Sequence, residues 1–168
     1  MTHHVDFGLL VLRVVVGLTM ASHGFNKFYG GGRIAGAGRW FDSIGMRPGQ
    51  LHARLAASAE IVAGLLLTVG FLTSLTGAVF VTVMFVAAYT VHKGSGFFVS
   101  ANGWEYNLVL ATVGVALAIS GPGIWSIDAL TGLADTFDGL TGFFIAFLGG
   151  VVAAAMQLGI FYRPRTKA

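Results

Sequence analysis

The chain has 168 residues, a length that suits one domain. Hydrophobic residues make up 55% and charged residues 10%; an average soluble domain has ~45–50% and ~25%, so water is not its only solvent. Cysteine is absent, which excludes disulfides, thiol redox chemistry, cysteine-held zinc and iron–sulfur clusters. The basic residues behind the net charge of +3 are few and scattered, so no phosphate-tracking patch forms and no nucleic acid partner is expected.

Five apolar segments follow one another, at residues 7–28, 55–72, 75–92, 106–121 and 140–162. A bilayer core takes about 20 apolar residues of helix. Backbone polar groups in lipid must be paired within the segment, so these segments are expected to be helices. None alternates with period two, which argues against a barrel. The fourth is short and is expected to reach back to Trp104. The first lacks a basic start, carries Arg13 inside its apolar run, and has His23 and Lys27 where a signal peptide would be cleaved, so it reads as a retained span. His3 and His4 read as a solvated terminus. The fold class expected is an all-α polytopic membrane protein, a four-helix transmembrane bundle plus a fifth, C-terminal transmembrane helix.

Lys and Arg set the orientation. Arg33, Arg39, Arg47 and Arg54 follow the first segment, Lys93 follows the third, and Arg163, Arg165 and Lys167 end the chain. Asp6 precedes the first span, and Asp128, Asp135 and Asp138 follow the fourth. Five spans then put every basic segment on one side, with the N-terminus outside and the C-terminus in the cytoplasm. Between residues 30 and 52, Trp40, Phe41 and Ile44 share a helical face, which suits a short helix on the membrane surface; a plain capping loop is the alternative. The glycines there lack the strand and βαβ setting of a dinucleotide fingerprint. A weak repeat pairs Ser22-His23-Gly24 with Val91-His92-Lys93 and Ala59-Glu60-Ile61 with Trp104-Glu105-Tyr106, which points to two helical hairpins in parallel arrangement.

This topology gathers His23, Lys27, Glu60, His92 and Glu105 in one leaflet. His23 and Lys27 are four apart and share a face. Ala56, Glu60, Gly64 and Thr68 repeat every four residues, so Glu60 lies on a small-residue face that packs on another helix. A buried glutamate needs a partner, and His23 or Lys27 is expected to supply it. Glu60, His23 and Lys27 are the candidate catalytic residues, able to pass protons to a bound redox ligand such as a quinone. The bland alternative is an ion pair that fixes helix register. His92, Glu105, Tyr106, Asn107 and Trp104 are candidate ligand-binding residues, with helix capping or an interfacial aromatic belt as the plainer reading. Arg13 reads as a structural charge partnered by Asp6 or Asp128. No haem, metal or flavin site is recognisable. In the last segment Gly142, Ala146, Gly149, Gly150, Ala153 and Gln157 form a small-residue face that meets either the bundle or a second protein.

Taken together, Leu12-Arg13-Val14-Val15-Val16-Gly17 with Ser22-His23-Gly24-Phe25-Asn26-Lys27-Phe28, then Trp40-Phe41-Asp42-Ser43-Ile44-Gly45-Met46, Ala59-Glu60-Ile61-Val62-Ala63-Gly64, Glu105-Tyr106-Asn107 and Gly121-Pro122-Gly123 resemble the DoxX family. The resemblance covers residues 6–128. It implies a DoxX-like four-helix core at 1–128, with an acidic external loop, a fifth helix and a basic tail at 129–168 outside the family's usual core. It implies a small bacterial inner-membrane protein. Relatives include the membrane subunit of thiosulfate:quinone oxidoreductase, subunits associated with terminal quinol oxidases, and an actinobacterial member linked to a superoxide dismutase and a sulfurtransferase. The paired-cysteine mechanism of the four-helix quinone reductases is excluded here.

The expected function is a quinone-interacting subunit of a membrane oxidoreductase system. Its partners would be the lipid bilayer and redox proteins docking through residues 33–54 and the fifth helix, with an oligomer left open. The main alternative is a non-catalytic anchor that recruits redox or oxidative-stress partners. A small-molecule transporter is the third reading.

Overall fold

The computed structural model describes residues 3–164, so Arg165 and Lys167 of the basic tail lie outside the described residues. The chain runs through α1 (His4–Tyr29), α2 (Arg33–Ser43), α3 (Gly49–Val69) and α4 (Thr73–Ala87), which continues through a π-turn at Ala88–His92 and a 3-10 turn at Lys93–Ser95. Then come α5 (Glu105–Ser120), the short α6 (Ile127–Thr131) and α7 (Leu133–Phe137), and a last run made of α8 (Gly139–Phe143), a π-turn at Phe144–Gly149 and α9 (Gly150–Phe161). Four runs, His4–Tyr29, Gly49–Val69, Thr73–Ser95 and Gly139–Phe161, are long and apolar enough to cross a membrane. The protein is an all-α polytopic membrane protein. Helix α5 is shorter, with 16 residues. The Trp104 carbonyl accepts the Leu108 N–H at 3.1 Å, so Trp104 stands just before its first turn.

Lipid tails give helices no hydrophobic reason to associate, so close backbone approach must do that work. The helices pair accordingly, α1 on α3 and α4 on α5, where their contact is most extensive. A Cβ added to Gly17 would lie 2.5 Å from the Gly64 carbonyl oxygen, and one added to Gly77 would lie 2.7 Å from that of Gly114. Only glycine fits at either crossing. Part of the small-residue face of the last run is spent inside the bundle, where Ala146 packs beside Gly77 and Gly150 lies against Ala78 and Val81 of α4, while Gly149 and Ala153 stay exposed. Met20, Leu67, Phe80 and Leu117 are among the buried side chains between the two pairs. Val11, Val15 and Leu18 of α1 and Val152, Met156 and Ile160 of α9 stay exposed and face the bilayer.

The segment 30–52 holds a helix, α2, rather than a plain loop, and it packs on α3. At the opposite end of the bundle Arg13 is 1% exposed. Neither expected carboxylate hydrogen-bonds it, and Asp128 acts on it only through its charge. Its guanidinium donates to the Thr68 carbonyl at 2.8 Å and to the Trp125 carbonyl. The reason is geometric: the last turn of α3 leaves carbonyls without intrahelical donors, and the guanidinium fork reaches them together with the following loop. Asp128 is engaged elsewhere, accepting the Leu72 and Thr73 amides at 2.8 Å each at the start of α4. Asp6 accepts the Ile124 amide at 3.1 Å.

A candidate ligand cavity beside a buried ion pair

The four-residue series on α3 turns Glu60 inward, where it is 5% exposed. Lys27, in the last turn of α1, reaches it with Nζ 2.5 Å from Oε2. The pair is largely closed off from solvent, the Glu60 side chain more so than that of Lys27.

The pair stands in the wall of a cavity of about 430 Å³ enclosed by α2, α3, α4 and α9. That volume lies in the ~300–1,000 Å³ range of small-molecule sites. Phe41, Ile44, Val83 and Val86 make much of the wall apolar. Thr82 and Thr90 also line it, but their hydroxyls donate to carbonyls of their own helix, Ala78 and Val86, at 2.8 Å. Trp40, Leu55 and Ala153 line the cavity and are exposed as well. An apolar recess of about 130 Å³ adjoins it along the α3–α4 seam, sharing Ala59 and Val79 with it and passing Leu66 and Leu75.

A second polar group in the wall was missed by sequence reasoning. His52, in the first turn of α3, is 1% exposed. Its ring meets Phe161 edge-on at 4.8 Å between centroids, and Nδ1 lies 3.4 Å from Gln157 Nε2 on α9. Its Nε2 has no hydrogen-bond partner. The signal was available: His52 is the next member, four residues back, of the series Ala56, Glu60, Gly64, Thr68. The backbone around it is fixed by the chain end, because the Arg47 N–H donates to the Phe161 carbonyl at 3.2 Å and the Arg163 N–H to the Gly45 carbonyl at 2.7 Å.

The other sequence-predicted residues fall elsewhere. His23 is exposed and turns toward α5, with Nε2 3.3 Å from the Tyr106 hydroxyl. His92 Nδ1 lies 2.7 Å from the Asn102 carbonyl, and Glu105 accepts the Val99 amide at 2.9 Å, so both brace the α4–α5 connection. Trp104 packs edge-on against Phe97 at 4.9 Å in the same connection. Asn107 is buried between α5 and α4, its amide 3.7 Å from the Met84 sulfur. None of these six lines the cavity. Among the described residues, no three His, Asp or Glu come close enough to share a metal ion.

Comparison with known proteins adds a second line of information. The DoxX family model matches residues 8–93. A Bacillus subtilis (strain 168) protein named "Putative oxidoreductase CatD" is 29% identical over 123 residues, 73% of this chain and 86% of that protein. The "Inner membrane protein YqjF" of Escherichia coli (strain K12) is 30% identical over 125 residues, 74% of this chain and 92% of its own. No solved structure matches.

Proposed function

This chain belongs to the DoxX family, and from that premise we propose that it is a quinone-interacting subunit of a membrane oxidoreductase system in the bacterial inner membrane. The observation that carries the reading is the Lys27–Glu60 pair opening on a mostly apolar cavity that has an apolar recess beside it. A quinone needs those three things together: a slot for a flat ring, a greasy track for its tail, and a nearby group that exchanges protons. Reduction to the quinol takes up two electrons and two protons. Lys27 and Glu60 would deliver protons at the cavity wall, and a redox protein partner would supply the electrons. The name of CatD supports the oxidoreductase class, and that of YqjF supports the inner membrane. The spread of Lys and Arg supports an orientation with the Lys27 end toward the cytoplasm.

The anchor reading is kept by one observation: Arg33, Arg39, Arg47 and Arg54 are all exposed at the Lys27 end, a surface an acidic partner would fit. Native mass spectrometry of the protein, released from its own membrane in mild detergent, separates the two readings. A quinone-sized adduct on the unaltered chain, absent from Glu60→Gln, is the expected result. A bare chain carrying only protein partners would replace the quinone reading with the anchor reading.

A further inference from the structure

Helices α3 and α9 both pack on α4 and make little contact with each other. The cavity occupies the gap between them, with α4 as its floor and α2 across the Lys27 end. Ala153 of α9 lines this cavity and is also exposed. An alanine has a single side-chain carbon, so it cannot line a cavity with one part and face outward with another. The cavity is therefore open at Ala153. One turn away on the same face, a Cβ added to Gly149 would meet only the Phe144 carbonyl of its own helix, at 4.0 Å. Leu55, which lines the cavity and is exposed, is the counterpart on α3.

Depth decides what this opening meets. Gly150 is the middle residue of the span Gly139–Phe161, and Ala59 is the middle residue of Gly49–Val69. Ala153 stands about 5 Å and Leu55 about 6 Å of helix rise from those midpoints. Both lie well inside a hydrocarbon layer ~30 Å thick. The opening thus faces lipid tails, and a ligand that stays in water does not meet it.

We propose that the gap between Leu55 and Ala153 is the entry window of the cavity, that it admits a tailed quinone sideways from the bilayer, and that the small side chain of Ala153 keeps it open. The inference rests on the quinone reading above and adds a route and a gate to it. The ring passes between Leu55 and Ala153 to reach Glu60, and the tail follows into the α3–α4 recess or stays in lipid. Selection begins at the window, because the ligand must first dissolve in the bilayer.

The test uses the absence of cysteine from the chain. Ala153→Cys is labelled in detergent with a methanethiosulfonate nitroxide and returned to nanodiscs. Val152→Cys, exposed on the same helix but outside the cavity lining, is the comparison. At position 153, spin relaxation by oxygen, which concentrates in lipid, is expected to exceed relaxation by a nickel chelate, which stays in water. Relaxation mainly by nickel, or protection from both by a second copy seated there, overturns the window. The probe ligand is an azido derivative of decyl-benzoquinone, flashed at set times after mixing and read as crosslinks to Val83 and Val86 of α4. The nitroxide at 153 is expected to slow entry and exit alike by about tenfold, with the amount bound at equilibrium little changed. Reductive removal of the nitroxide before mixing restores both rates, and the nitroxide at 152 leaves them as they were. Equal rates with and without the nitroxide at 153 overturn the window and leave the quinone reading standing. Less bound at equilibrium with unchanged rates does the same, and makes Ala153 a wall residue only. No crosslink in the unlabelled chain overturns the quinone reading and the passenger assigned here, while the oxygen result still decides which way the opening faces.

Discussion

The two ends of the bundle each bury a charged side chain, and they handle it in different ways. At the Arg13 end the guanidinium is locked onto carbonyls of α3 and the following loop, while Asp128 holds the first amides of α4. The charges there are absorbed by helix termini, which always carry backbone groups in need of partners. Arg13 Nε and the Thr73 hydroxyl are left over, but the cavity that Thr73 lines is about 100 Å³, small for anything beyond a few waters. At the Lys27 end the last turn of α1 brings an ammonium to a carboxylate in the middle of α3, and a cavity four times larger adjoins them. Two polar clusters of similar composition thus differ by what they touch. One closes the backbone, and the other opens on empty space.

That contrast can be broken most directly at Arg13. Arg13→Leu strands the carbonyls of Thr68 and Trp125 and is expected to cost ~3 kcal/mol or more, read as a large fall in melting temperature and yield. A variant that melts like the unaltered protein would end the clamp description. At the other end, Lys27→Met leaves Glu60 without its partner and is expected to cost roughly 2 kcal/mol, less than for a fully buried pair because Lys27 is partly exposed. Combining Lys27→Met with Glu60→Gln should restore most of that stability, since a pair removed together leaves no lone charge. Quinone binding should not return with it. Recovery of both would reduce the pair to a packing device.

Midway between the ends, Gly17→Ala places a methyl against the Gly64 carbonyl and the Thr68 hydroxyl. The expected loss is ~1–2 kcal/mol, measured by thermal unfolding in detergent, with the cavity disturbed only as far as α1 moves. The smallest effect belongs to Asp138, outside the spans. Its pKa is pushed up to about 6 from 3.8, first by burial and then by Asp128 and Asp135. The folded chain therefore holds this proton more tightly than the unfolded one, so its contribution to stability is present at low pH and is lost as pH rises from 3.8 to about 6. Asp138→Asn should flatten that slope, by less than ~1 kcal/mol once solvent screening is counted. A pH scan of unfolding that keeps its slope in the variant would assign it to another group.

The spans were legible because hydrophobic length and the demand for internal backbone pairing leave few alternatives in lipid. The inward face of Glu60 was legible too, from spacing alone, and so was the short list of cations able to meet it. The partner of Arg13 was not. Charge patterning points a guanidinium at carboxylates, whereas the carbonyls that receive it belong to the backbone and leave no mark in the side-chain sequence. His23 shares a face with Lys27, yet the helix turns it past Glu60 to the Tyr106 hydroxyl, a rotation of one side chain that spacing does not resolve. His52 was hidden by position: a histidine at a loop edge reads as solvated until α2 and α9 are laid over it.

The residues matched to the family end at Val91-His92-Lys93. They include Lys27, His52 and Glu60, but Ala153, Gln157 and Phe161 of α9 come from beyond them. The chamber thus takes part of its wall from residues inside the family match and part from α9 outside it, joined where the backbone of residues 161–163 lies along that of residues 45–47. Substitutions in α9 would therefore reshape the cavity without touching the Lys27–Glu60 pair.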